Sequence, residues 1–248
     1  MQKFLPTLTA IGVIALTPAC AQQSVDVADK NAVEQIVRDY ILENPEVIEE
    51  ALIALQAKRE TEAAEATREA FAANQDALIN TPTDYSIGPA DASVTVVEFF
   101  DYRCGFCKRS TEWAMGLSEV YDGQVRVVFK ELPILSAESE KAALAALASG
   151  KQDKYFEAHV ALMELDNASG FDTEAINKAA ESAGVDIARM RADMDSVEVQ
   201  RQLAEMRSLA RTLDITGTPT FVVGTSQIPG ADEQAVRALI DAELAALN

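Results

Sequence analysis

An α/β domain carrying a helical insertion, preceded by a separate all-helical segment, is the architecture this sequence predicts. Three observations lead there. From Pro82 onward strand and helix patterns alternate; residues 137–213 interrupt that alternation with helical periodicity alone; and residues 29–80 carry apolar stripes at helical spacing with no strand of their own. The 248 residues, 48% hydrophobic and 25% charged, are ordinary globular composition with room for one sizeable domain and an accessory segment. A formal net charge of −19 repels phosphate backbones and anionic lipid headgroups, so no nucleic-acid partner is expected.

The first residues, "MQKFLPTLTAIGVIALTPACAQQ", set a positive Lys3 before an apolar stretch of about 13 residues and the small-x-small site Ala19-Cys20-Ala21. This reads as an export signal cleaved after Ala21, with the mature chain starting at Gln22 in an oxidising compartment such as a bacterial periplasm. Cys20 as a lipid-accepting cysteine fits less well, because Thr17 stands three residues before it where leucine is usual. The mature chain then holds two cysteines, Cys104 and Cys107.

Residues 22–80 are expected to form a helical segment and linker. Val33, Ile36, Val37, Tyr40 and Ile41 make one stripe, and Ile48, Leu52 and Leu55 another. Between them "ENPEV" marks a restart, with Asn44 as N-cap, Pro45 at the first helical position and Glu46 at the positive dipole end. The following "QAKRETEAAEATREAFAANQDAL" forms helix by propensity but offers few large apolar residues, so it reads as a solvated spacer up to Asn80. "NTPTD" breaks it and opens the second domain, residues 83–248.

In that domain "SVTVVEFF" is a buried strand, "KRSTEWAMGLSEVYD" an amphipathic helix ended by Asp122-Gly123, and "QVRVVFKEL" a second strand, together a βαβ unit with parallel strands. The insertion follows. "TPTFVVG" and "SQIPGA" supply two further strands, and "DEQAVRALIDAELAAL" a last helix capped by Asp232.

The chemistry concentrates in "DYRCGFCKRS". A Cys-x-x-Cys pair serves as a staple, half a metal site or a redox couple. A structural zinc site needs about four ligands, and beside two cysteines the mature chain offers one histidine, His159, so no metal site is expected. A loop closed over two residues removes little unfolded-state entropy. Redox chemistry fits best: Cys104 falls between a buried strand and a helix, where the helix N-terminus favours thiolate, and Cys107 lies one turn deeper.

With "EFFDYRCGFC", "FKELPIL", the helical insertion and "TGTPTFVVG" in this order, residues 83–248 resemble thioredoxin-fold proteins of the DsbA family. The resemblance implies that Cys104 attacks and Cys107 resolves, that Glu98 is a buried acid relaying a proton to Cys107 rather than a solvent-facing strand residue, and that Thr218-Pro219 is a cis peptide facing the cysteines, with Thr218 backbone groups binding substrate as an added strand. The N-terminal "VRDYILENPEVIEEALIAL" resembles the oligomerisation region of the trimeric disulfide isomerases related to suppressor-of-copper-sensitivity protein C. That implies a homotrimer, exported cysteine-containing proteins as clients, a membrane thiol-disulfide redox partner, and no cofactor beyond the redox-active Cys104-Cys107 disulfide. The expected activity is disulfide isomerase, with dithiol oxidase as the alternative and Cu(I) binding through the two thiols as a reading of another class.

One departure matters. Strong oxidants of this family often set a histidine between the cysteines, whereas this chain has Gly105-Phe106, so a less oxidising couple is expected. Elsewhere, His159 reads as a packed structural histidine, Trp113 and Met115 as core, and Lys130-Glu131 as a surface pair of little weight.

Overall fold

The computed structural model describes residues 30–168 and 170–247; the expected export signal and Cys20 lie outside them. The chain divides into two compact units, with the boundary between Lys58 and Arg59.

In the first unit, helix α1 (Lys30–Glu43) is followed by the start of α2 (Glu46–Ala73). The restart occurs where Asn44-Pro45 predicts it, but Asn44 works on the other helix: its side-chain amide donates to the carbonyl of Tyr40 at 2.9 Å, closing the end of α1. The N-cap role expected of Asn44 is thus corrected, since an amide can satisfy orphan carbonyls as readily as orphan N–H groups. The apolar stripes stand in the open, with Ile36, Val37 and Tyr40 each more than half exposed.

The second unit is built on a five-stranded sheet in the order β1-β3-β2-β4-β5, formed by Tyr85–Ile87, Val94–Phe100, Val125–Glu131, Thr220–Val223 and Ser226–Pro229 in chain order. The pairing of β2 with β3 is parallel and every other pairing antiparallel. Helix α4 (Gly105–Val120) makes the crossover, and its exit turn carries Asp122 and Gly123 at positive φ, which Gly123 adopts without steric cost. The edge strand β1 has no counterpart in the sequence reading, because three residues are too few to show a period.

Both faces of the sheet are covered. Val96, Phe100, Val127, Phe129 and Phe221 face one core, closed by α4, by α10 (Glu233–Ala246) and by the insertion helices α5 (Ala137–Gly150), α6 (Tyr155–Met163), α7 (Thr173–Ser182) and α8 (Ile187–Met194). Val97, Phe99, Val128 and Val222 face the other, where Leu209 of α9 (Val197–Thr212) and Leu213 just beyond it pack. The helix starts are chemically marked: Ser136, Asp172, Asp186, Ser196 and Asp232 each accept a backbone N–H three residues on.

The two-sided core corrects two expectations. The stretch up to Asn80 is not solvent-facing throughout: Phe71 of α2 and Leu78 of α3 (Gln75–Ile79) are 1% exposed in the second core. Each such side chain contributes about 1.5–3 kcal/mol on burial. Nor is Lys130-Glu131 a surface pair, since consecutive strand residues point to opposite faces and here both faces are covered. Lys130 is buried against the carboxylate of Asp84, and Glu131 is fully buried on the opposite side. Trp113 and Met115 are partly buried against the first core, as expected, with the Trp113 ring 4.8 Å from that of Phe221. His159 is buried among Phe100, Tyr102, Phe129 and Tyr155, a packed histidine.

Candidate active site

At the C-terminal end of β2 the chain turns through Asp101–Arg103 and enters α4 with Cys104 as its N-cap residue, in extended backbone conformation. That places the sulfur where α4 has unpaired N–H groups. Cys104 is 7% exposed and Cys107 fully buried, and both thiols are free. The environments pull the two apart. The Cys107 thiol donates to Cys104, joined by the backbone N–H groups of Cys107 and Phe106 and by the Thr218 side chain. Against the cost of partial burial, these lower the Cys104 pKa to about 5. Burial, and that same donation, push Cys107 far up. One sulfur is a ready nucleophile at neutral pH and the other a reserve that needs its proton removed.

Thr218-Pro219 is a cis peptide, and the Thr218 carbonyl oxygen lies 3.1 Å from Cys104 Sγ, where it accepts from the thiol form. The Pro219 carbonyl accepts from the N–H of Gly230, tying this loop to the end of β5.

Glu98 lies on the β2 face turned toward α4 and is 2% exposed. Ser110, one turn beyond Cys107, donates its hydroxyl to Glu98 Oε1 at 2.9 Å and also lies 3.0 Å from the Cys107 carbonyl. Burial raises the Glu98 pKa to about 8, opposed by the Ser110 hydrogen bond and assisted by the Cys104 charge. A carboxyl with that pKa is protonated at neutral pH and able to exchange a proton. The solvent-facing alternative for Glu98 is excluded by its burial. Gly105 has open space where a Cβ would project, and Phe106 is 56% exposed, with the Arg109 guanidinium 4.1 Å from its ring centre.

Four further residues build the site and escaped the sequence reading. Asp101, 1% exposed, accepts four hydrogen bonds: from Arg103 N and Ser139 Oγ on one oxygen, and from the N–H groups of Ile134 and Leu135 on the other, all at 2.7–3.0 Å. Its signal is an aspartate at the junction of a strand and a tight turn. Lys108 donates to the carbonyls of Met163 and Leu165 at the end of α6. Ser110 falls one helical turn past Cys107, a spacing legible in hindsight. Tyr102 carries no sequence signal beyond its place in the turn.

A low-pKa thiol at a helix N-terminus, a second thiol buried one turn on, a protonated acid on the same side of the sheet and a cis-proline loop beside the first thiol are the features of a thiol-disulfide oxidoreductase of thioredoxin fold. Residues 80–242 match the family described as thioredoxin, and residues 29–62 match that described as the copper resistance protein ScsC N-terminal domain. The chain belongs to the thioredoxin family, as a DsbA-type oxidoreductase with a ScsC-like N-terminal region. A thioredoxin-like oxidoreductase from Silicibacter pomeroyi is 38% identical, with a TM-score of 0.64 over 68% of this chain and 96% of that one. Proteus mirabilis ScsC in a transitional conformation is 31% identical, with a TM-score of 0.63 over 89% of this chain and 99% of that one. Among curated relatives, the Na(+)/H(+) antiporter NhaA 3 of Salinispora tropica is 30% identical over 143 residues, but this chain spans only 21% of the antiporter's length. Among the described residues no helix is long and apolar enough to cross a membrane.

Proposed function

We propose that this protein is a periplasmic disulfide isomerase that reshuffles disulfides in exported proteins as a self-associated trimer. The observation that carries the reading is the pairing of a poised Cys104 thiolate with an N-terminal unit whose apolar stripe stands exposed. The Cys104 thiolate attacks one sulfur of a client disulfide, forming a mixed disulfide and releasing the other client sulfur as thiolate. That thiolate, or another in the client, then attacks the mixed disulfide and returns Cys104 with a different client disulfide in place. Where no client thiol arrives, Glu98 first releases its proton to solvent, eased by the loss of the Cys104 charge in the mixed disulfide. Its carboxylate then takes the Cys107 proton and Cys107 attacks, leaving an oxidised Cys104-Cys107 pair and a reduced client. Two electrons move with the disulfide, so the pair needs no other cofactor, and a membrane thiol-disulfide partner restores the dithiol. Thr218 backbone groups beside Pro219 hold the client as an added strand.

Val33, Ile36, Val37, Tyr40 and Ile41, with Ile48, Leu52 and Leu55, form the contact between copies. Short amphipathic helices of this kind are marginal alone, and association holds several reduced sites near one client.

Dithiol oxidase is the second reading, favoured by the low Cys104 pKa, because a stabilised thiolate makes the reduced form the more stable one. Among the described residues no group of three or more His, Cys, Asp or Glu side chains is arranged so that it could hold a metal ion. A Cu(I) site would therefore consist of the two thiols alone, and copper retained stoichiometrically on purification would support it.

The test uses a scrambled-disulfide client. Cys104→Ala is expected to abolish reductase and isomerase activity, whereas Cys107→Ala traps mixed disulfides; the reverse pattern overturns the role assignment. A pair found mainly oxidised in cells favours the oxidase reading over the isomerase.

A further inference from the structure

A second buried polar cluster lies beside the cysteines and takes no part in the chemistry described above. Glu131 is the last residue of β3, in register with Phe100 at the end of β2, so its carboxyl sits at the same sheet edge as the turn that delivers Cys104. It is fully buried. Tyr102 donates its hydroxyl to Glu131 Oε1 at 3.0 Å, and Tyr155 of α6 donates to the same oxygen at 2.9 Å. The Tyr102 oxygen also lies 3.1 Å from His159 Nδ1. A consistent proton order runs from His159 Nδ1–H to the Tyr102 oxygen and from the Tyr102 hydroxyl to Glu131. Burial favours the neutral form of every member, raising Glu131 and both tyrosines and lowering His159 to about 3.

Such a cluster is an expensive way to fill a core. A leucine would occupy the Glu131 position without the desolvation of a carboxyl, and Glu131 Oε2 and His159 Nε2 remain buried without a partner. The arrangement makes sense by what it holds. Tyr102 is two residues before Cys104, and its neighbour Asp101 fastens the other side of the turn: the Asp101 carboxylate holds the Arg103 N–H, and the Asp101 carbonyl accepts from the Cys104 N–H at 3.0 Å. Two adjacent side chains leave the turn and are each locked in place, Asp101 onto the 134–139 segment and Tyr102 onto Glu131 and His159.

We propose that Glu131, through Tyr102, is a positioning residue for the nucleophile: together with Asp101 it pins the turn so that Cys104 Sγ stays within reach of the Phe106 and Cys107 N–H groups. This rests on Cys104 being the attacking thiol. The thiolate depends on donors of fixed direction, and a hydrogen bond to sulfur weakens steeply once its angle opens. A turn released on its Tyr102 side therefore costs thiolate before it costs fold. Because both hydroxyls donate to one oxygen, Glu131 is needed as an acceptor and not as a charge.

The test reads the Cys104 titration from the pH dependence of its alkylation rate and from thiolate absorbance, in the full chain. Tyr102→Phe keeps the ring and removes the hydroxyl, and is expected to raise the Cys104 midpoint by about one unit, a tenfold loss of thiolate on the acid side. Glu131→Leu should shift it in the same direction, and Glu131→Gln, which keeps the accepting oxygen, should restore the unmutated value. A structural role alone would lower thermal stability in Tyr102→Phe and Glu131→Leu and leave the midpoint in place, which would overturn the proposal, as would Glu131→Gln shifting as far as Glu131→Leu. In the unmutated protein the Cys104 and Arg103 amides should exchange with deuterium as slowly as those of β2; fast exchange there shows an unpinned turn whatever the variants do. An inactive Cys104→Ala enzyme with a correctly titrating Cys104 in the parent separates failure of this inference from failure of the nucleophile assignment.

Discussion

At the scale of single residues, the site works by pushing neighbouring pKa values apart. Cys104 falls to about 5, Cys107 rises, and Glu98 rises to about 8, so at pH 7 the attacking group is charged and the other two are neutral. Glu98 carries a stability cost with a definite sign. Its folded pKa exceeds the ordinary carboxylate value of 4.5, so the stability it permits is complete below about 4.5 and is lost as pH rises through about 8. Glu98→Gln removes that titration. Its gain in Tm over the parent should be larger at pH 8 than at pH 5, by thermal melts of the reduced form; an equal gain at both would show that Glu98 does not titrate in this window. Phe106 offers the complementary change. It is exposed beside Cys104, so Phe106→His sets an imidazole there without disturbing the core, and should make the couple more oxidising, by about 30 mV for each 1.4 kcal/mol by which the thiolate is favoured. Equilibration with glutathione measures this, and an unchanged or more reducing couple contradicts it.

At the scale of elements, the polar part of α2 divides at a place its composition conceals. Propensity and the scarcity of apolar residues describe Gln56 onward correctly for most of its length, yet two residues near the end, Phe71 and Leu78, are locked into the core beneath β2 and β4. Deletions should report this. Removing residues 30–58 is expected to leave thiol-disulfide exchange intact, with self-association and isomerase activity lost. Removing residues 30–80 also strips Phe71 and Leu78, at about 1.5–3 kcal/mol each, and should lower the denaturation midpoint markedly. Equal stability of the two truncations would mean that this packing contributes little. Light scattering that finds the untruncated protein already monomeric would remove the trimer proposal.

At the scale of the whole molecule, each copy carries a formal charge of −19. Copies drawn together through an apolar stripe do so against their mutual repulsion, which salt screens over a Debye length of about 10 Å at 0.1 M and 3 Å at 1 M. Self-association should therefore strengthen between low and high sodium chloride, by sedimentation or light scattering. Weakening with salt would indicate an interface held by ion pairs instead of by apolar burial.

What the sequence determined by itself is what repeats along the chain or depends on local chemistry. The apolar runs of β2 and β3, the helical spacing of the insertion and the capping Asp232 were all legible, because each follows from a residue and its near neighbours. So was the Cys104-x-x-Cys107 step, since one helical turn separates the helix start from a residue deeper on the same face. The tertiary structure alone decided which polar residues go inside. Nothing local distinguishes Lys130 and Glu131 from a solvent pair; only a sheet covered on both faces sends one to Asp84 and the other to two tyrosines from distant segments. The same holds for Asp101, whose partners lie more than thirty residues away at Ile134, Leu135 and Ser139 as well as next door at Arg103. Burial is a property of the assembled layers, and with it come the desolvation and the distant hydrogen bonds that set the chemistry of this site.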